Sequence, residues 1–577
     1  MKDVDSRYML QTRTNTQPWD QVTGVSQDIV NKNFENLFRI YPQMSSMDAM
    51  SSRGRIVAKL EPPKILIPAG TYGSNTSEVL FLLRFKSGSV YDEEGMFLVE
   101  DLAGWVIAYS VPLKTFSDDP SKAKTFTSNN EQQREEALSQ SLRERLKLNG
   151  KELPGQYSIE RLYAKLSSAK FSDPDTAHSV AVIDGEKLAW SDWATDNYDA
   201  YDKLKSFIER WAIDQDKNGR NAMGYNIQLK GMFLKSTYAR FDRLILPTDL
   251  VYQTHAYKSA PLCPDGKTSE DGFGGRNALL YCEMVEHRQR PDDFKLVWSG
   301  NFTTMPSSPG ASDAIEGTFL MNRDVFLERF ILPKIRQLNQ ASEICHLLPR
   351  GEQDGDRISC HAPYTTSVDH NLSISSPCYD FVDINKTNNI NLANGYRFKK
   401  VNIQPPDDSW ATKQNSTQVS VTWQRGSPIL TIEGTMTSHE VMEWDQGGDP
   451  NTTSWERRNL DTYTAKWKIT MTFCTIPGPN NNGILGVKFD TGDDHCCGVS
   501  VTLARDHNNL EEKGRDQAML KSFKARFSEI VPQITRSIEE KVAQSGGFIF
   551  PGNGVFSFKN PAFTQWGDLV AEIDYLP

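Results

Sequence analysis

Apolar and β-branched residues recur at every second position through much of this chain, in runs closed by Gly, Pro or Asn. That alternation limits the fold more than any other feature. The runs cover 79–85, 104–113, 225–235, 277–285, 294–303, 418–423, 462–473 and 498–503. Helical periodicity is rarer. Residues 18–41 place Val22, Val25, Ile29, Phe34, Leu37, Phe38 and Tyr41 at three- and four-residue steps, which predicts an amphipathic helix. A second helix is expected after the N-cap candidate Asn322, with Val325, Phe326, Phe330, Ile331, Ile335 and Leu338 on its stripe and a kink at Pro333. The longest, 510–542, spaces Met519, Phe523, Phe527, Ile530, Ile534, Ile538 and Val542 along one face, contains Pro532, and is expected to stop at Gly546 and Gly547. Shorter helices are predicted over 130–146 and 197–213, and polar loops at 172–176, 265–276, 351–356, 404–417 and 446–451.

Strands and helices do not alternate as βαβ units require. The predicted class is therefore α+β and β-rich, with long antiparallel sheets packed on or wrapped around long amphipathic helices. With 577 residues, the chain has room for about four ordinary domains or two large β-rich ones. At 38% hydrophobic residues and a mean hydropathy of -0.53, it can bury a core but has too little apolar sequence for a bilayer. A net charge of -10 opposes nucleic-acid binding, which needs a basic face to release phosphate counterions. The first ten residues carry alternating charges and no apolar signal-like run, so a cytoplasmic location is expected; the Asn-x-Ser/Thr matches at Asn75, Asn301, Asn371, Asn385, Asn415 and Asn451 are read as chance.

Catalytic motifs are missing. The sequence holds no Gly-x-Ser-x-Gly elbow, no His-Glu-x-x-His and no Walker loop. Asp490-Thr491-Gly492 is read as a turn, because aspartic-protease chemistry needs a second such carboxylate. Asp493, Asp494, His495, Cys496 and Cys497, with His507 beyond, are the densest run of potential metal ligands, but neighbours on a strand point to opposite faces. Cys345-His346 and Cys360-His361 are adjacent only in sequence, and no Cys-x-x-Cys pair occurs. Neither a catalytic residue, nor a metal, nor a cofactor is assigned.

Trp19-Asp20-x-Val22, Ser26 and Val30-Asn31 resemble the opening of the clostridial neurotoxin-cluster accessory proteins, the OrfX proteins and their forty-seven-kilodalton relative. Further blocks similar to that family follow in the same order: 157–163 with Leu166 and Ala169, 277–288, Gly317-Thr318-Phe319 leading into 326–333, 550–552, 556–559 and Gly567-Asp568-Leu569. The family belongs to the tubular lipid-binding (TULIP) superfamily. The resemblance thus implies strongly curved sheets around long helices, with lipid held between them in many members. It carries no catalytic residue. On this reading two TULIP-like units are expected, 1–315 and 316–577, with the termini contributing to one of them.

Pattern and resemblance together make the chain a soluble binding protein for a lipid or other hydrophobic small molecule, in a cavity between curved sheet and helix. The candidate lining residues are Val22, Val25, Ile29, Phe34, Leu37, Phe38, Met519, Phe523, Phe527, Ile530, Ile534 and Ile538. Two alternatives stand beside it: a complex-forming accessory protein without ligand, and a cofactor-independent cyclase or isomerase acting on a hydrophobic secondary metabolite. Charges in the last helix are mixed, so contact with an anionic membrane is expected to be peripheral and weak at most.

Overall fold

The computed structural model describes residues 18–40, 42–67, 78–118, 156–164, 174–217, 222–230, 247–257, 274–286, 288–289, 296, 301–305, 314–342, 350–354, 357–361, 380–384, 395–404, 411–445, 455–477, 483–491, 497–505, 515–542 and 555–576. The architecture is α+β and strand-rich. Its centre is a six-stranded antiparallel sheet in the order Pro247–His255, Ala278–Val285, Gln21–Ser26, Gly317–Met321, Leu569–Leu576, Val555–Phe563. Strands from both ends of the sequence and from its middle are therefore neighbours.

This central sheet is buried on both faces. Val25, Leu279, Tyr281, Phe319, Met321, Ala571 and Ile573 enter the large core. Trp19, Val22, Leu280, Cys282, Leu320 and Val570 enter a smaller one closed by Phe302. Alternate residues point to opposite faces, so Val22 and Val25 serve different cores.

That placement corrects the helix predicted over 18–41. Gln21–Ser26 is a strand, and helix α1 occupies Gln27–Ile40. All six strand residues are buried, which erases the alternation that marks a half-exposed strand and leaves a three-residue step that mimics a helix. Ser26 makes the switch: its hydroxyl accepts the Ile29 N–H at 3.1 Å, capping α1.

To one side lies a ten-stranded sheet with the path Glu186–Ala189, Val180–Ile183, Val106–Asp118, Glu78–Tyr91, Gly54–Leu60, Ser46–Ser51. Lys64–Leu66 and Phe97–Val99 pair with Glu78–Tyr91, Gln156–Ala164 pairs with Val106–Asp118, and Ala222–Lys230 pairs with Gln156–Ala164. Helices α2 (Trp190–Asp196) and α3 (Tyr198–Lys217) cover it; α2 was not predicted, and its Trp193 meets Trp105 at 4.7 Å between ring centroids.

To the other side is a seven-stranded sheet in the order Val382–Asp383, Gly395–Gln404, Ala411–Trp423, Ile429–Asp445, Trp455–Pro477, Gly483–Asp490, with Ser500–Arg505 on Trp455–Pro477. A register shift at Glu440/Val441 bends its longest pair. Two predicted loops are corrected here. Residues 411–417 lie in a strand, bonded on both edges from Lys413 onward, where ladder bonds outweigh a polar sequence. Likewise Arg350–Asp354 pairs with Arg357–His361 as a hairpin. Of the predicted strand 294–303, only 296 and 301–303 are described, and none of these is strand; the predicted helix 130–146 lies outside the described residues.

The Asn322 segment opens as a wide, π-type helical stretch, Asp324–Ile331, and narrows at Pro333 into α4 (Leu332–Ala341). Helix α5 (Arg515–Val542) is 28 residues long. Among the described residues no helix is long and apolar enough to cross a membrane.

Candidate functional site

Both predicted helix stripes reach the same large core, yet they are attached differently. Ile29, Phe34 and Phe38 of α1 are buried, and Phe34 meets Phe81 edge-on at 5.9 Å. Directional bonds fix this helix. The Asn31 amide donates to the Ile65 carbonyl and accepts the Ile65 N–H at 3.2 and 2.8 Å, and Gln27 Oε1 accepts the Ile67 N–H at 2.6 Å. Such bonds hold one geometry and are lost on a small shift.

Helix α5 presents Phe523, Phe527, Val531, Ile534, Ile538 and Val542 to the core, and all are buried. It lies along Gly483–Asp490, Ser500–Arg505 and α4. The core-facing side chains are apolar, so burial, which is non-directional, holds this face. At its centre Phe527 packs on Trp467 at 5.1 Å and on Phe523 at 6.2 Å, with the Arg526 guanidinium 4.8 Å from the Phe523 ring. The Trp467 indole lies flat over its cross-strand partner Gly434, where any Cβ would overlap the ring. Trp467 is 3% exposed, and its indole N–H has no hydrogen-bond partner among the described residues. A buried donor thus sits beside a greasy helix. Pro532 removes one backbone donor from α5, and the Thr535 hydroxyl donates to its carbonyl at 3.1 Å. Lys334 of α4 donates to the Ser537 hydroxyl at 2.7 Å.

The twelve predicted lining residues therefore divide. Val25, Ile29, Phe34, Phe38, Phe523, Phe527, Ile534 and Ile538 join one continuous core, with half-buried Ile530 packed at its margin. Val22 faces the separate core behind the central sheet. The side chains of Leu37 and Met519 lie outside the described residues.

Periodicity did not reveal three charged clusters that lock the central sheet. Asp20, 1% exposed, accepts the Val285 N–H at 2.9 Å and pairs with Arg288 and, at 3.1 Å, Arg329, which also reaches Glu286 at 2.7 Å. Burial raises its carboxyl above the usual range against the lowering by these donors. Arg276 bridges Asp28 and Glu316 at 2.7 and 3.1 Å, and Ser26 donates to Glu316 at 2.6 Å. Arg323 lies between Asp383, Asp324 and Glu328 at 3.4, 3.8 and 3.9 Å. Its own N–H donates to Asp568 Oδ1 at 2.8 Å. The one available signal was position: Asp20, Arg288, Arg329 and Asp568 all fall inside the sequence blocks that resemble the accessory-protein family.

Among the described residues, no three His, Cys, Asp or Glu side chains are placed to hold a metal ion. Residues 493–496, 507 and 345–346 lie outside them. Cys282, Cys474 and Cys497 form no disulfide among the described residues, and burial raises the Cys282 thiol.

No family model and no curated protein matches the chain. Among solved structures, the chain is similar to P47 from Clostridium botulinum A2, with 11% identity over 98% of this chain and 100% of that one, at a TM-score of 0.42. It is also similar to P47 of Clostridium botulinum E1, with 12% identity over 97% and 100% at 0.41. A lipopolysaccharide-binding protein follows, with 10% identity over 97% and 99% at 0.34. At those scores the function has to be read from this chain's own residues.

Proposed function

We propose that the chain binds a lipid or similar apolar molecule between α5 and the seven-stranded sheet. One observation carries the reading: the core-facing side of α5 is apolar from Phe523 to Val542 and meets a buried indole N–H that finds no acceptor among the described residues, whereas α1 is bolted down by Asn31 and Gln27. A helix whose core-facing side is held by non-directional burial can part from its sheet there and close on a guest that restores the burial. The guest's ester or carboxyl oxygen supplies the acceptor for Trp467. The same reading takes the sheets as curved TULIP-like units, 1–315 and 316–577, in a cytoplasmic protein with weak peripheral attraction to anionic membranes at most.

Titration with fluorescent fatty acids of increasing length tests it. Burial of each methylene is worth about 0.8 kcal/mol, so two more carbons tighten binding by up to about fifteenfold. Saturable binding that tightens with length supports the proposal; affinity independent of length, or no binding, refutes it.

A second reading, a complex-forming accessory protein, is favoured by one patch. Met50, Val57 and Phe97 are exposed on the ten-stranded sheet, with exposed Met96 in the turn just before Phe97, and Met50, Arg55, Tyr91 and Phe97 form one cross-strand row. Substituting Met50 and Phe97 by Ser would abolish such a complex and leave fatty-acid binding intact.

A further inference from the structure

The C-terminal hairpin, Val555–Phe563 with Leu569–Leu576, is wedged by its turn between the Asp324–Ile331 stretch and the seven-stranded sheet. The turn is internally tied: Thr564 N–H donates to the Asp568 carbonyl at 2.9 Å, and Asp568 N–H to the Thr564 hydroxyl at 3.1 Å. At its tip Gly567 presses on Trp423, where an added Cβ would stand 2.7 Å from the ring and 3.1 Å from Arg323 Cδ. Asp568 is 1% exposed; Oδ1 receives the Arg323 N–H, and Oδ2 is buried with no hydrogen-bond partner among the described residues. A carboxylate oxygen so placed is desolvated without a close donor.

The Thr564 hydroxyl also bonds the carboxyl, but the charged groups around it bring no cation onto Oδ2 among the described residues. From the helical stretch come Arg323, Asp324 and Glu328; from the sheet come Asp383 and Tyr396. Arg323, the cation of this group, is shared among Asp383, Asp324 and Glu328 and lies 5.9 Å from the Tyr396 ring, while the Tyr396 hydroxyl donates to Glu328 at 3.0 Å. Burial and the acidic neighbours keep that phenol protonated, so it contributes no charge of its own.

We propose that Asp568 is a proton-operated latch, which fastens the C-terminal hairpin to the start of the helical stretch when protonated and slackens that seam when ionised. Protonation removes the unpaired charge at Oδ2 and leaves Oδ1 free to keep the Arg323 N–H. The sign is opposite to that of a salt-bridged carboxylate. Burial, helped by the Asp324 charge and set against the Arg323 N–H and guanidinium and the Thr564 hydroxyl, raises Asp568 from 3.8 to about 6. The closed seam therefore holds the proton more tightly than the open one, and the closed form gains stability as pH falls from about 7 towards 4.

Hydrogen exchange of segments 323–331 and 564–570 in the full chain, corrected for intrinsic rate, tests this at pH 5, 6 and 7.5. Between the folded and ordinary values, opening at pH 5 is suppressed about tenfold relative to pH 7.5. Asp568→Asn carries no charge at any pH and is expected to flatten the profile, with segment 78–91 as the control for folding. Wild-type protection that does not change with pH, or a folded variant that keeps the wild-type dependence, overturns the latch. If Asp568→Asn does not fold, carbon-13 titration of the wild-type carboxyl decides: a midpoint near 6 supports the proposal, and one near 3.8 overturns it.

Discussion

Gly434→Ala probes the α5 interface with the smallest change available, one methyl group. Gly434 faces Trp467 across the Ile429–Asp445/Trp455–Pro477 pair, and the indole covers it so closely that the added carbon overlaps the ring. The ring cannot turn away freely, because Phe527 packs on it at 5.1 Å and is itself buried. Trp467 must therefore move towards α5. Overpacking of this kind costs about 1–3 kcal/mol, offset by about 0.5–1 kcal/mol from replacing a strand glycine. A net loss of about 1–2 kcal/mol is expected. The local stability of α5 is the right quantity, since a chain of this size need not unfold in one step; native-state hydrogen exchange of segment 523–538 reads it. Phe527→Leu gives the displaced indole room, so the double variant is predicted to lose at least about 0.5 kcal/mol less than the sum of the single ones. Neutral Gly434→Ala, or strict additivity with Phe527→Leu, refutes the picture of a ring trapped between strand and helix.

The other predictions concern the clamps and caps. Asp20→Ala leaves Arg329 and the Val285 N–H without their buried acceptor and is expected to cost about 3 kcal/mol of local stability, read by native-state hydrogen exchange of segment 278–285; a loss below about 1 kcal/mol means that the cluster is no clamp. Ser26→Ala deletes the α1 cap and the donor to Glu316, a loss of about 1–2 kcal/mol that should appear as faster exchange at 27–31. Asp48→Asn breaks only the exposed pair with Arg55 at 3.0 Å, whose hydrogen bonds hold that carboxyl below its usual value. The unfolding midpoint is expected to stay in place, and a clear shift contradicts the dominance of burial over exposed ion pairs in this fold.

What the sequence disclosed follows from burial. Half-exposed strands such as 79–85 and 462–473 announced themselves by alternation, and the α5 stripe survived from reading to structure because one side of that helix faces water. Gln21–Ser26 misled because both its faces are covered, and 411–417 because a polar run carries no apolar alternation to mark it as a strand. Trp467 could not be chosen from the sequence, since its position over Gly434 is a matter of register between strands. Nor could the pairing of Asp20 with Arg329, which are distant in the chain and meet only through the central sheet. Of the blocks that resemble the accessory-protein family, Trp19 to Ser26, 277–285, Gly317 to Phe319 and Gly567 to Leu569 lie in or beside that sheet, whereas α5 lies outside them.

Photolabelling with a diazirine-bearing fatty acid, followed by peptide mapping of the adducts, tests the central claim most directly. Adducts are predicted on Trp467 and on the Phe523 to Ile538 face of α5, competed away by unlabelled fatty acid. Labelling confined to the exposed Met50, Met96 and Phe97, or spread without competition, would contradict it.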